Sequence, residues 1–327
     1  PNACTKSQRG ARALALMLDP RITLLHWLTV ARGRQFRPGA TVAQVRAGYV
    51  ELNRRFGMPP VDDLETSTVT IPTRDGAELT AHLHRPKGGA APLPVLLFFH
   101  GGGWVIGDVP SYDHLTRYFA HEGKIAVLSV EYRLGPEHRF PVAFEDAFDA
   151  LGWLQREAAV LGLDAHRIAV GGDSAGGGLA ATLSAFAQDE GLERPAYQFL
   201  IYPPLDATER FPSRRKFNKG LPLTPELRTW FMQNFFRSKD DASNPWLRQI
   251  DSPNPAALPP TYFLAAGYDA LVDEGRYYAD RLRDAGVPVV YDLRPTIAHG
   301  FVNIPRILPE ARRGLRDGIR AVSAALS

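Results

Sequence analysis

Along this chain, short unbroken apolar runs alternate with longer segments of helical period. The runs "PVLLFFH" (94–100), "IAVLSVEYR" (125–133), "IAVGG" (168–172), "YQFLIYP" (197–203), "TYFLAAG" (261–267) and "VPVVYDLR" (287–294) are too short for helices. They are apolar at consecutive positions, as strands covered on both faces must be. Ahead of them, "ETSTVTIPT" and "ELTAHLHRP" flank "RDG", which predicts an antiparallel hairpin turning at Asp75 and Gly76. Between the runs lie helical patterns such as "FEDAFDALGWLQREAAVLG" and "DEGRYYADRLRDAGV", each with a glycine near its end that can cap it. Strand, helix, strand in that order predicts an α/β fold whose sheet is mostly parallel, with right-handed crossovers.

Two segments break the alternation. Residues 1–65 read as helical, punctuated by Pro38, Pro59 and Pro60, and residues 205–250 interrupt two strands of the body, which spans 66–204 and 251–327. The inserted segment carries Phe211, Phe217, Leu221, Leu223, Trp230, Phe231, Phe235 and Phe236 among basic residues. Such a segment forms either a local helical subcore or a lid over a site at the strand ends.

Composition narrows the classes. A formal charge of +3, with basic residues scattered among acids, argues against a nucleic-acid partner. Cys4 is the single cysteine, so no intrachain disulfide is expected and export to an oxidising compartment is not demanded. No window approaches the ~18 apolar residues of a membrane span. The stretch "ALALMLDPRITLLHWLTVARG" (13–33) has the apolar character of a signal peptide, but Asp19, Pro20 and Arg21 interrupt it, so a helix lying on the folded body is expected. A chain beginning at Pro1 leaves room for a removed leader; within the given residues the expectation is a cytoplasmic protein.

The chemistry centres on "IAVGGDSAGGGLA". Ser174 follows a strand and precedes a helical run, and Gly172-Asp173-Ser174-Ala175-Gly176 fits G-x-S-x-G, a turn so tight that side chains two positions to either side would collide. Glycine removes that collision, and the amide of Ala175 then sits at a helix amino terminus that favours negative charge. A phosphate-binding loop would need G-x-G-x-x-G or a following lysine, and neither is present.

A serine nucleophile needs a base. Of nine histidines, His82 and His84 share one face of the hairpin and read as a satisfied strand pair, with no third metal ligand evident. His26, His114, His121, His138 and His166 lie in helical or charged surface patterns, and His100 closes a strand. His299, in "RPTIAHGFVNIP" after the last strand, is the best base. Asp269, just beyond "TYFLAAG", is the acid to orient it; Asp273 and Glu274 fall in the next helix's first turn, where carboxylates offset the dipole. The order Ser174, Asp269, His299 is that of an α/β-hydrolase sheet. "HGGGWVIGD" (100–108) begins where a strand stops, and its glycines let backbone amides approach an oxyanion, with Trp104 and Val105 anchoring the loop behind.

Together, "HGGGW", "YRLGPEHRFPVAFEDAF", "GGDSAGGGLA", "GYDALVDEG" and "HGF" resemble the hormone-sensitive-lipase family of α/β-hydrolase esterases, the bacterial family IV carboxylesterases, over residues 65–320. The resemblance implies an α/β-hydrolase fold, a triad of Ser174, Asp269 and His299, and an oxyanion hole of Gly102, Gly103 and Ala175. It also implies that residues 1–65 and 205–250 form a cap; read from residue type, Trp230, Phe231 and Phe235, with Trp104 of the loop, either wall an acyl pocket of a size that favours short to medium chains or pack the cap against the body. No metal or organic cofactor is implied; the partners are a small ester, water and, as family members often are dimers, a second copy. Amide, lactone or acetyl-group hydrolysis by the same triad, and ligand binding without turnover, are the alternatives. Gly135 and Ala270 stand where the family often has alanine and proline.

Overall fold

A computed structural model describes residues 17–31, 39–89 and 91–327. Cys4, Pro38, both ends of the apolar stretch 13–33 and the side chain of His26 lie outside the described residues. The middle of that apolar stretch is helix α1 (Pro20–Ala31), followed by α2 (Val42–Phe56), which Thr41 and Gln44 cap reciprocally.

Eight strands form one sheet: β1 (Leu64–Pro72), β2 (Glu78–Pro86), β3 (Leu93–Phe99), β4 (Ala126–Val130), β5 (Leu163–Asp173), β6 (Tyr197–Ile201), β7 (Thr261–Tyr268) and β8 (Val289–Ala298). Their spatial order is β1-β2-β4-β3-β5-β6-β7-β8. The expected hairpin β1–β2 is antiparallel and joins β4 antiparallel; from β4 to β8 every pairing is parallel.

Helices α3 (Val109–Gly123), α4 (Val142–Glu157), α5 (Ala175–Phe186), α8 (Val272–Asp284) and α9 (Pro309–Ala325) cover the two faces. The short α6 (Ser213–Lys216) and α7 (Pro225–Phe235) belong to the inserted segment. Alternate residues of β3 feed opposite layers: Val95, Leu97 and Phe99 pack in one apolar cluster, Leu96 and Phe98 in the other, all fully buried. This two-faced burial explains why the central strands read as unbroken apolar runs. Among the described residues no helix is long and apolar enough to cross a membrane.

The topology fixes where chemistry can occur. The chain leaves β3 toward β4 and then crosses back to β5 on β3's other side, so the loops after β3 and β5 diverge and leave a crevice at their carboxyl ends. "HGGGW" follows β3 and Ser174 follows β5.

Candidate active site

Ser174, Asp269 and His299 are each the first residue past a strand: β5, β7 and β8 respectively. Ser174 adopts φ 49°, ψ −121°, a strained conformation for a side chain-bearing residue, and its amide donates to Ile201 O at 2.9 Å. The flanking glycines permit this turn. A Cβ on Gly172 would meet Phe99 O at 2.5 Å, and one on Gly176 would fall on Phe99 O and His100 O, so the elbow is pressed against the end of β3.

The serine hydroxyl lies 2.9 Å from His299 Nε2, and His299 Nδ1 lies 2.7 Å from Asp269 Oδ2. The other carboxylate oxygen of Asp269 accepts the Leu271 amide at 2.9 Å, which fixes the plane of the group. Asp269 is buried, and the Tyr202 ring packs 4.4 Å from the imidazole. The rival acids are occupied elsewhere. Asp273 accepts from the Ser213 amide, and Glu274 accepts from Arg214 and the Leu205 amide. Both fasten the inserted segment to the body.

Gly102 and Gly103 have φ 120° and 61°, in the region that favours glycine. Among the described residues their amides donate to no backbone acceptor, whereas Gly102 O accepts from Val105 and Ile106. Donors held without a partner beside a nucleophile suit an oxyanion. The loop is anchored from below. The Gly101 amide donates to Asp173 Oδ1 at 2.8 Å, and Asp173 Oδ2 accepts from Tyr112 at 3.1 Å and Tyr202 at 3.3 Å. Asp173, the first variable position of the G-x-S-x-G motif, therefore ties the elbow to the glycine loop, a role that sequence reasoning missed. His100 stacks on Tyr132, and burial pushes its pKa down to about 4, so it is a neutral structural ring.

Burial raises the Asp173 carboxyl to about 7, against an ordinary value of 3.8. Between those two values the folded chain holds a proton that the unfolded chain has released, so this group's contribution to stability is lost as pH rises through that window. Asp173→Asn, an isostere of the neutral form, removes that dependence. In urea unfolding, the stability of the variant relative to wild type is expected to increase from pH 5 to pH 8. A constant difference across that range would show that the group is already charged.

Ser174, Ala175, Gly103 and Trp104 open onto a cleft whose other walls include Phe231, Met232 and Phe236. Of the four aromatics read as pocket walls, Trp104 and Phe231 line this cleft, and the Phe231 ring sits directly over Gly103. Phe235 is fully buried behind them, stacked 4.8 Å from Trp104, and Trp230 packs edge-on against Phe231. Met232 and Phe236 line the cleft beside Phe231, although residue type alone did not single them out. Glu209, Arg214 and Arg228 also line the cleft, with both guanidinium groups on Glu209 Oε1. No described residue before Gly103 lines it.

Two expectations for histidines are corrected. His114 is no solvated surface group: it accepts from the Met58 amide at 2.9 Å, meets Asn53, and burial pushes its pKa down to about 4. His82 and His84 do have a third potential ligand nearby, Asp113 on α3.

Residues 96–303 match a family model described as the alpha/beta hydrolase fold. The chain is 38% identical over 274 residues to a carboxylic ester hydrolase, LipN, of Mycobacterium tuberculosis, covering 82% of this chain and 72% of the relative. It is also 38% identical over 263 residues to an ethyl acetate hydrolase of Pseudomonas putida, covering 80% and 83%. A hyperthermophilic esterase from the archaeon Pyrobaculum calidifontis superposes with a TM-score of 0.88 at 36% identity, over 95% of this chain and 100% of that one.

Proposed function

The chain belongs to the α/β-hydrolase fold family, in its hormone-sensitive-lipase branch, and from that premise we propose that it is a serine carboxylesterase acting on short- to medium-chain esters. The observation that carries this reading is the pair of hydrogen bonds joining Ser174 Oγ to His299 Nε2 and His299 Nδ1 to Asp269.

The reaction follows from those contacts. His299 Nε2 takes the hydroxyl proton as Ser174 Oγ attacks the ester carbonyl, and Asp269 stabilises the imidazolium that forms. The carbonyl oxygen, now an anion, receives hydrogen bonds from the amides of Gly102, Gly103 and Ala175. The tetrahedral intermediate collapses, the imidazolium gives its proton to the departing alcohol, and the acyl group remains on Ser174. Water, deprotonated by the same imidazole, then attacks the acyl-enzyme and releases the acid.

Residues 205–250 act as the cap, supported by the Phe231 ring over Gly103 and by the α7 side chains lining the cleft. A largely apolar cleft walled by Trp104, Phe231, Met232 and Phe236 suits a small ester. With p-nitrophenyl esters from acetate to palmitate, kcat/KM is expected to peak between acetate and octanoate and to fall at least roughly tenfold by palmitate, since the walls of the cleft exclude an acyl chain too long to be enclosed. A profile rising to palmitate would overturn the chain-length assignment; no ester turnover by the folded protein would overturn the esterase reading.

A further inference from the structure

His82 and His84 alternate along β2, so their side chains leave the strand on one face, where Asp113 of α3 meets them. One nitrogen of each ring and one carboxylate oxygen lie within 4.8 Å of each other; Asp113 Oδ1 is 3.6 Å from His82 Nδ1 and 3.5 Å from His84 Nε2. We propose that these three side chains form a binding site for a divalent transition metal of the zinc class, distinct from the reaction centre and structural in role.

Three observations support it. Bonds of about 2.0–2.2 Å from a tetrahedral ion place its nitrogen and oxygen ligands about 3.3–3.6 Å apart, the separations that both histidines keep from Asp113. His82 Nδ1 is buried and has no hydrogen-bond partner, which a metal would supply. The remaining atoms of the other two ligands are held as orienting contacts require. His84 Nδ1 meets Thr66 Oγ1 at 2.9 Å, and Asp113 Oδ2 faces Arg117 Nε at 3.8 Å, which leaves Oδ1 turned to the histidines.

The neighbouring groups are compatible with an ion. Arg117 donates to Val61 O and to Thr66 Oγ1 and faces Asp113 Oδ2, the oxygen turned away from the histidines. The Thr116 hydroxyl, 3.2 Å from His84 Nε2, donates to Tyr112 O and is the contact that an ion would displace. Two imidazoles and one carboxylate favour zinc, cobalt, nickel or copper over magnesium or calcium, and leave a position for water. Such an ion would clamp β2 to α3, the helix that begins directly after the glycine loop.

The proposal does not rest on the esterase reading. Its test is titration of the untagged, chelator-treated full chain with cobalt(II), and with zinc(II) in competition. Saturable binding of one equivalent with visible ligand-field bands is expected, along with a higher unfolding midpoint in zinc. His82→Ala and Asp113→Asn should each weaken binding by at least about 100-fold and leave catalytic turnover unchanged. No saturable binding would overturn the site. Affinity unchanged in both variants would do the same, since the ion would then sit elsewhere, as at the exposed His121–Asp63 pair. Should either variant fail to fold, anomalous scattering from a zinc-soaked wild-type crystal decides. A peak bonded to all three side chains supports the site, and its absence there overturns it.

Discussion

Ser174→Ala is expected to lower kcat for a short p-nitrophenyl ester by roughly 10,000- to 1,000,000-fold while the protein stays folded and KM changes little. The substitution removes one atom, Oγ, which lies 2.9 Å from His299 Nε2 and is the atom that attacks the carbonyl carbon in the proposed mechanism. Alanine tolerates the elbow about as well as serine, because the positive φ at this position burdens any residue with a Cβ. The glycines that make the turn feasible are untouched. Residual hydrolysis would reflect the oxyanion donors and the cleft acting on water. Steady-state kinetics with circular dichroism to verify folding checks this, and a variant retaining a tenth of wild-type turnover would remove Ser174 from the mechanism.

Asp269→Asn is expected to lower kcat by about 10,000-fold with little effect on KM. The reason is a choice of tautomer that this site forces. The Leu271 amide donates to Asp269 Oδ1, so an asparagine would place its oxygen there and turn its NH₂ group toward His299 Nδ1. Nδ1 would then have to accept, Nε2 would carry the proton, and the ring would present a donor to Ser174 where a base is needed. Neither rival acid can take over, since Asp273 is held by the Ser213 amide and Glu274 by Arg214. The kinetics of the variant check this directly. A loss below tenfold would mean that the imidazole does not depend on Asp269 for its orientation.

The scaffold was legible because its strands are buried on both faces, and the period of the intervening segments is helical. The strand ends were less so. β8 continues through Pro295, Thr296, Ile297 and Ala298, a stretch that reads as loop. It remains a strand because it lies at the sheet's edge, where proline removes no ladder bond that the interior needs, and because Arg294 is held by Asp292, Glu310 and Asp317. β5 likewise begins at Leu163, five residues ahead of its apolar run, with Leu163 pairing to Leu93.

Site residues at strand ends were legible for a related reason: a polar residue that closes an apolar strand has its position set by the sheet. Side chains brought together from distant segments were not. Nothing in the local pattern links Asp113 to His82, or Asp173 to the amide of Gly101, because each contact depends on how α3 and the β3 loop pack against other elements. Gly135 shows the same limit. It reads as a minor departure from the family, yet a Cβ there would lie 2.7 Å from Asn234 O at the end of α7, so the glycine admits the inserted segment to the body. Trp230 and Phe235 were assigned to the cleft by residue type, whereas neither lines it: Phe235 is buried against Trp104 and Trp230 packs on Phe231.

The most direct test of the central claim, that Ser174 attacks the carbonyl and carries the acyl group, is covalent trapping. The protein is incubated with a p-nitrophenyl alkylphosphonate, released nitrophenol is counted, and the modified peptide is mapped by mass spectrometry. The mechanism predicts one equivalent of nitrophenol per chain, a phosphonyl group on Ser174, and loss of ester hydrolysis in step with labelling. Labelling at another residue, or full activity after Ser174 is modified, would contradict it.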